Sequence, residues 1–136
     1  SKVWIIPSER MKAGKEHRIP LCSRAIDILI SIKSNRHETE LVYSGRKTGS
    51  SLSNVAMLAL MKKIDFGPYT PNGFRSTFRD WAADEAHTFQ NETIELALAH
   101  TIKNQAEAAY RRGDQHERRR ELMAAWGDYI KLQPKE

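Results

Sequence analysis

The chain has 136 residues, 40% of them hydrophobic and 29% charged, which suits one soluble domain with one core and excludes a disordered tail. Its apolar runs fall far short of the ~20 residues of a bilayer span, no signal-like start is present, and the single Cys22 excludes an internal disulfide framework and fits a reducing, cytoplasmic compartment. A net charge of +5 and a pI near 9.5 favour an anionic partner.

Val3-Trp4-Ile5-Ile6 and His17-Arg18-Ile19-Pro20-Leu21 are β-prone runs joined by a basic connection containing Gly14, the pattern of a hairpin. Two strands alone are marginal, so the hairpin reads as the edge of a larger sheet, and the chain as a C-terminal portion of something longer. Ser23 is expected to cap a helix over 24–33, with Ile26, Leu29 and Ile30 on its inner face. Leu41-Val42-Tyr43 reads as a short buried strand or a turn. The stretch 44–51, rich in Gly, Ser and basic residues, has the composition of a mobile loop.

A helix is expected over 53–64, with Val55, Leu58 and Met61 or Lys62 at helical spacing. Thr70-Pro71 is a strong start signal for a further helix reaching about Ala86 and burying Phe74, Phe78, Trp81 and Ala82. Asn91 is expected to cap a helix that turns Ile94, Ala97 and Leu98 inward up to His100. A short helix over 104–112 should carry Tyr110. Asp114 and Glu117 have capping-box spacing, and the last helix should bury Leu122, Met123, Trp126, Tyr129 and Ile130. The expected architecture is mainly α with a small β-hairpin, an α+β fold in a single domain over 1–136.

Asn72 and Arg75 share a helix face close to a helix start, where free N–H groups and the macrodipole favour an anion. The guanidinium fork of Arg75 matches two phosphate oxygens, and Arg79 extends the face by one turn. The alternative for Arg75 is an exposed arginine on a solvated face. His100 read alone is a hydrogen-bonded histidine closing a helix, and Tyr110 read alone is a core aromatic. Arg111 and Arg112 set positive charge beside that phenol, which at its ordinary pKa of ~10 needs cations nearby to ionise. The His residues show no ligand spacing with carboxylates or Cys22, so no metal site is expected. Gly45-Arg46-Lys47-Thr48 lacks the paired glycines of a phosphate loop. The Arg118-Arg119-Arg120 run, flanked by Glu117 and Glu121, reads as the solvated side of a helix.

Taken in order, Arg75 in Asn72-Gly73-Phe74-Arg75, His100 in Leu98-Ala99-His100 and Tyr110 in Ala109-Tyr110-Arg111-Arg112 form a ladder, and the ladder resembles the catalytic domain of the tyrosine recombinases, the phage-type integrases. Met11-Lys12-Ala13-Gly14-Lys15 through Pro20-Leu21 is similar to that family's β-hairpin with its catalytic lysine. The resemblance covers about Trp4 to Tyr129. It implies the DNA breaking-rejoining catalytic core, here truncated at its N-terminal side and so without the family's first catalytic arginine.

The resemblance further implies Tyr110 as nucleophile, Arg75 as phosphate clamp, His100 as a proton-handling partner, and Lys12 as general acid with Lys15 as runner-up. Asn72 occupies a position that is histidine in the family; an amide can donate to a phosphate oxygen but cannot shuttle a proton. Lys15, Arg46, Lys47, Arg79, Arg111 and Arg112 are candidate phosphate contacts that set position rather than sequence. The implied partners are double-stranded DNA at attachment sites and further copies in a tetramer, near the nucleoid, with no cofactor and no membrane. A DNA-binding module of the same fold that has lost catalysis is the competing expectation.

Overall fold

The computed structural model describes residues 2–34, 41–47, 49–100 and 113–132. Among these residues the chain forms two strands, a 3-10 turn and five helices, a mainly helical α+β arrangement. It divides into two compact units, one of residues 1–26 with 79–136 and the other of residues 27–78.

The first unit opens with the expected hairpin. Strands β1 (Val3–Ile6) and β2 (His17–Pro20) pair antiparallel, with Val3 opposite Pro20 and Ile6 opposite His17. Their connection holds a short 3-10 helix, Ser8–Arg10, and then Gly14 at φ +63°, a left-handed conformation that glycine adopts without steric cost. Trp4 and Ile5 remain about half exposed on β1.

Helix α1 (Ser23–Ser34) begins one residue earlier than the capping pattern suggests, because the carbonyl of Cys22 accepts the first helical N–H, from Ile26. Ile26 and Leu29 are half-buried on it as expected, but Ile30 is exposed.

The core of the first unit gathers on helices α3 (Gly73–Asp84), α4 (Asn91–Ala97) and α5 (His116–Leu132). Trp81, Ala82, Ala86, Ile94, Leu98 and Leu122 are buried, Leu122 completely. Trp81 packs on Trp126 and Tyr129 with ring centroids 5.1 and 5.7 Å apart, which joins the end of α3 to α5. Helix α5 also packs on α4 and β2. Gly127 lets α5 approach closely, since a methyl group there would meet Cys22 Cβ at 2.7 Å and Sγ at 3.0 Å. Ile130, expected in the core, is exposed at the far end of the stripe.

The expected solvated arginine run is corrected at its centre. Arg118 and Arg120 are exposed and bond Gln90 and Glu117, but Arg119 is 2% exposed. It recurs three and seven residues before Leu122 and Trp126, so it falls in phase with the core stripe. Its Nε donates to the Asp114 carbonyl at 2.7 Å, its Nη1 to the Arg18 carbonyl at 2.6 Å and its Nη2 to Asp114 Oδ2 at 2.8 Å. Burial pushes the guanidinium pKa below its ordinary value, while the charge and hydrogen bond of Asp114 pull the other way. Asp114 also caps α5 through Oδ1, which accepts the His116 N–H at 3.1 Å. Glu117, the other half of the expected capping box, pairs with Arg120 instead.

In the second unit, Thr70 Oγ1 accepts the Gly73 N–H at 3.1 Å and so caps α3 as expected. Residues 71–72 form a turn and the helix starts at Gly73. Helix α2 (Ala56–Lys63) is shorter than the spacing suggests, and of its expected stripe only Met61 is buried. It ends in paired bonds from Phe66 N to Met61 O and from Asp65 N to Lys62 O, with Asp65 at φ +65°. Leu60, Ile64, Phe66, Tyr69 and Phe74 are each more than half exposed, so Phe74 does not join the core as expected. Val42 and Tyr43 are likewise exposed, in a bend rather than a buried strand. The loop that follows is closed by a bridge between Ser44 and Ser51 and by Ser50 Oγ donating to the Lys47 carbonyl at 2.7 Å.

Arg119→Ala removes three hydrogen bonds and a buried stem, so it should lower unfolding free energy by about 3 kcal/mol. Arg119→Lys should recover less than half of that, because an ammonium cannot reproduce the fork. Urea denaturation monitored by tryptophan fluorescence measures both.

Candidate active-site cleft

The position of His100 follows from how α4 ends. The His100 N–H donates to the Glu95 carbonyl at 3.0 Å and the Ala99 N–H to the Leu96 carbonyl at 3.1 Å, a Schellman closure. Such a closure needs a left-handed residue at its corner, and here Ala99 takes that role at φ +56°. An alanine in this conformation carries roughly 1 kcal/mol of strain. The reversal turns the His100 side chain back over the helix it has just left.

There its Nδ1 lies 2.6 Å from Glu95 Oε2. The other carboxylate oxygen, Oε1, is 3.0 Å from Arg79 Nη2, and Arg79 Nη1 donates to Asn91 Oδ1 at 2.8 Å. Asn91, expected as the cap of α4, lies inside the helix, with Gln90 in the capping position. A line of polar contacts therefore runs Asn91, Arg79, Glu95, His100, from the last turns of α3 across α4. The imidazole is about half exposed, at 47%.

His100 borders a cleft of about 400 Å³ within the first unit. Lys15, His17 and Arg18 line it from the hairpin, Glu92 and Leu96 from α4, and Asp114 with Arg119 from the start of α5. Thr93 Oγ1 donates to Gln115 Oε1 at 2.7 Å and ties α4 to α5 beside it. The lining mixes cations with the carboxylates of Glu16, Glu92 and Asp114, and the Arg119 guanidinium is already bonded within the protein. The cleft thus has a histidine and a lysine among its lining residues, with charges of both signs around them.

Lys12, the lysine expected to act in catalysis, and its runner-up Lys15 are both exposed on the hairpin connection, but only Lys15 is among the residues lining this cleft. Arg79 is held by Glu95 and Asn91. Asn72 and Arg75 are exposed at the N-terminal end of α3, in the second unit, where the Arg75 N–H donates to the Asn72 carbonyl at 3.1 Å. Arg46 and Lys47 are exposed in the bridged loop of the same unit. Tyr110, Arg111 and Arg112 lie outside the described residues. Among the described residues no group of three or more His, Cys, Asp or Glu side chains is placed to hold a metal ion, and no helix is long and apolar enough to cross a membrane.

Sequence reasoning missed Glu95 and Arg119. Glu95 stands five residues before His100, outside the usual helical pair spacings, and only the left-handed corner at Ala99 brings the two together. For Arg119 the signal was available in its phase with Leu122 and Trp126.

No family model and no solved structure matches the chain. Several known proteins are similar in sequence along almost the full extent of this chain. The prophage integrase IntA of Escherichia coli is 33% identical over 130 residues, which cover 94% of this chain and 31% of that protein. The integrase of Shigella phage Sf6 is 26% identical over 133 residues, covering 96% of this chain and 34% of that protein. The prophage integrase IntZ of Escherichia coli is 29% identical over 126 residues, covering 92% and 31% respectively. Along almost its whole length the chain is similar to phage and prophage integrases. It spans about a third of the length of these relatives.

Replacing Ala99 by glycine should relieve the strained corner while giving the unfolded chain more freedom, for a net stabilisation of about 0.5 kcal/mol. A rise in the urea midpoint, with the denaturant slope unchanged, is the expected result.

Proposed function

We propose that the chain is the C-terminal catalytic part of a site-specific DNA recombinase, an integrase of the tyrosine type that cuts and rejoins strands. The single observation carrying this reading is the ordered set Arg75, His100 and Tyr110 in a chain that aligns almost end to end with phage and prophage integrases. In this reading the Tyr110 oxygen attacks the scissile phosphorus, forming a 3′-phosphotyrosine and releasing a 5′-hydroxyl. Phosphodiester energy is kept in the covalent bond, so rejoining is the reverse displacement by a 5′-hydroxyl. Arg75 stabilises the added negative charge of the transition state, and loss of one such donor costs about 3 kcal/mol, or ~10²-fold in rate. His100 exchanges a proton with the reacting oxygens or donates to a non-bridging one. A hairpin lysine protonates the leaving 5′-oxygen, and the place of Lys15 on the cleft beside His100 favours it over Lys12 for that role.

Double-stranded DNA is the proposed partner, and a tetramer on paired sites is the proposed assembly. Lys15, Arg46, Lys47, Arg111 and Arg112 are proposed to meet phosphates and set the register of the duplex. A second reading, a DNA-binding module without catalysis, has a specific observation in its favour. Asn72 stands where the family resemblance implies histidine, and an amide transfers no proton.

Incubation of the intact protein with a nicked duplex bearing an attachment site separates the two. The expected result is a protein–DNA adduct that survives denaturation and is absent in Tyr110→Phe. Salt-sensitive binding with no adduct supports the inactive module instead. An adduct that persists in Tyr110→Phe contradicts the assignment of the nucleophile.

A further inference from the structure

We propose that Glu95, held by Arg79, is the positioning residue for His100: it fixes the imidazole with its proton on Nδ1 and presents Nε2 as the working nitrogen. The inference rests on the reading of His100 as part of a strand-transfer site, but its geometry stands by itself.

Four contacts carry it. Glu95 Oε2 meets His100 Nδ1 at 2.6 Å, and an ionised carboxylate only accepts hydrogen bonds, so Nδ1 must be the donor. Arg79 Nη2 holds Glu95 Oε1 at 3.0 Å, and Asn91 Oδ1 in turn holds Arg79 Nη1 at 2.8 Å, so the carboxylate cannot rotate away without breaking a second bond. The backbone N–H of His100 also bonds the Glu95 carbonyl at 3.0 Å. Histidine is therefore tied to one residue through both its main chain and its ring, and the left-handed corner at Ala99 makes that double attachment possible.

The chemical consequence is directional. With Nδ1–H committed to Glu95, a neutral imidazole carries its lone pair on Nε2 and can take a proton there; a protonated imidazole donates from Nε2 instead. The two roles proposed for His100, accepting a proton and donating to a phosphate oxygen, then fall on the same atom. The carboxylate neither moves a proton nor touches DNA in this account. It removes the choice between tautomers, as a buried carboxylate does for the histidine of a serine-protease triad.

The test has two arms. In the first, the chain is labelled with ¹⁵N-histidine and the ring nitrogens of His100 are read by NMR at alkaline pH. The expected spectrum shows the ring proton on Nδ1 and none on Nε2. Glu95→Ala should move His100 toward the Nε2–H form that free imidazole side chains prefer, and Glu95→Gln, which keeps a neutral acceptor, should fall between. An Nε2–H form in the unaltered chain, or a His100 spectrum indifferent to Glu95→Ala, overturns the proposal.

In the second arm, adduct formation by the intact protein is timed on a nicked duplex. Glu95→Ala should slow it about tenfold or more, and should cause no further slowing in a His100→Ala background. Equal slowing in both backgrounds means that Glu95 supports the fold generally, which also overturns the proposal. If His100→Ala reacts as fast as the unaltered protein, the role of His100 in the reaction fails, and the NMR arm then decides the tautomer question by itself. Circular dichroism of each variant separates loss of fold from loss of positioning, and Glu95→Gln supplies the comparison if Glu95→Ala does not fold.

Discussion

One guanidinium frames the cleft. Arg119 reaches from α5 to the Arg18 carbonyl on β2 and to both the carbonyl and the carboxylate of Asp114. Desolvating a charge costs several kcal/mol, so an apolar side chain of similar volume would fill the space at less expense in free energy. It could not, however, fix three oxygens of two separate segments at hydrogen-bond distance. The hairpin and the turn before α5 both line the cleft, and Arg119 holds them in one register. Asp114 works twice in this arrangement, capping α5 with one oxygen and anchoring Arg119 with the other.

A second polar line, different in role, ends at His100 on the edge of the cleft. Where Arg119 sets the backbone, the contacts from Asn91 through Arg79 and Glu95 set one ring. Both devices depend on a left-handed residue other than glycine, Ala99 in one case and Gln115, at φ +49° just before α5, in the other. Strain of this kind persists where surrounding bonds over-determine the conformation, and it clusters at sites with a task. On the proposed reading that task is to deliver an oriented imidazole and a hairpin lysine to a phosphodiester, chemistry in which positioning and preorganised charge supply most of the rate.

Much of the fold was legible because it follows periodicity. The β runs around Gly14, the Thr70 cap, and the Trp81, Leu122 and Trp126 positions declare themselves by spacing and turn chemistry. The failures share a physical cause. Helices α2 and α4 close on left-handed Asp65 and Ala99 rather than on glycine, a stop that the residue types do not announce. Phe74 was expected in the core, and Ile30 and Val55 on apolar faces by helical spacing, yet all three are exposed, because spacing does not say which apolar surface finds a partner. Arg119 was hidden by its charged neighbours, although its phase with Leu122 was visible. At the proposed site, the ladder supplies candidate residue types and their order. The Glu95 contact was not legible, because it is made by a backbone reversal rather than by a helical interval.

The central claim is that the cleft beside His100 is where a DNA phosphate reacts. A crystal structure of the intact protein trapped covalently on a nicked duplex tests it most directly. The account predicts the phosphotyrosine phosphorus at the mouth of this cleft, with a phosphate oxygen within hydrogen-bond reach of His100 Nε2 and the Glu95 contact to Nδ1 retained. A phosphate seated on another face, with His100 remote from it, would contradict the account.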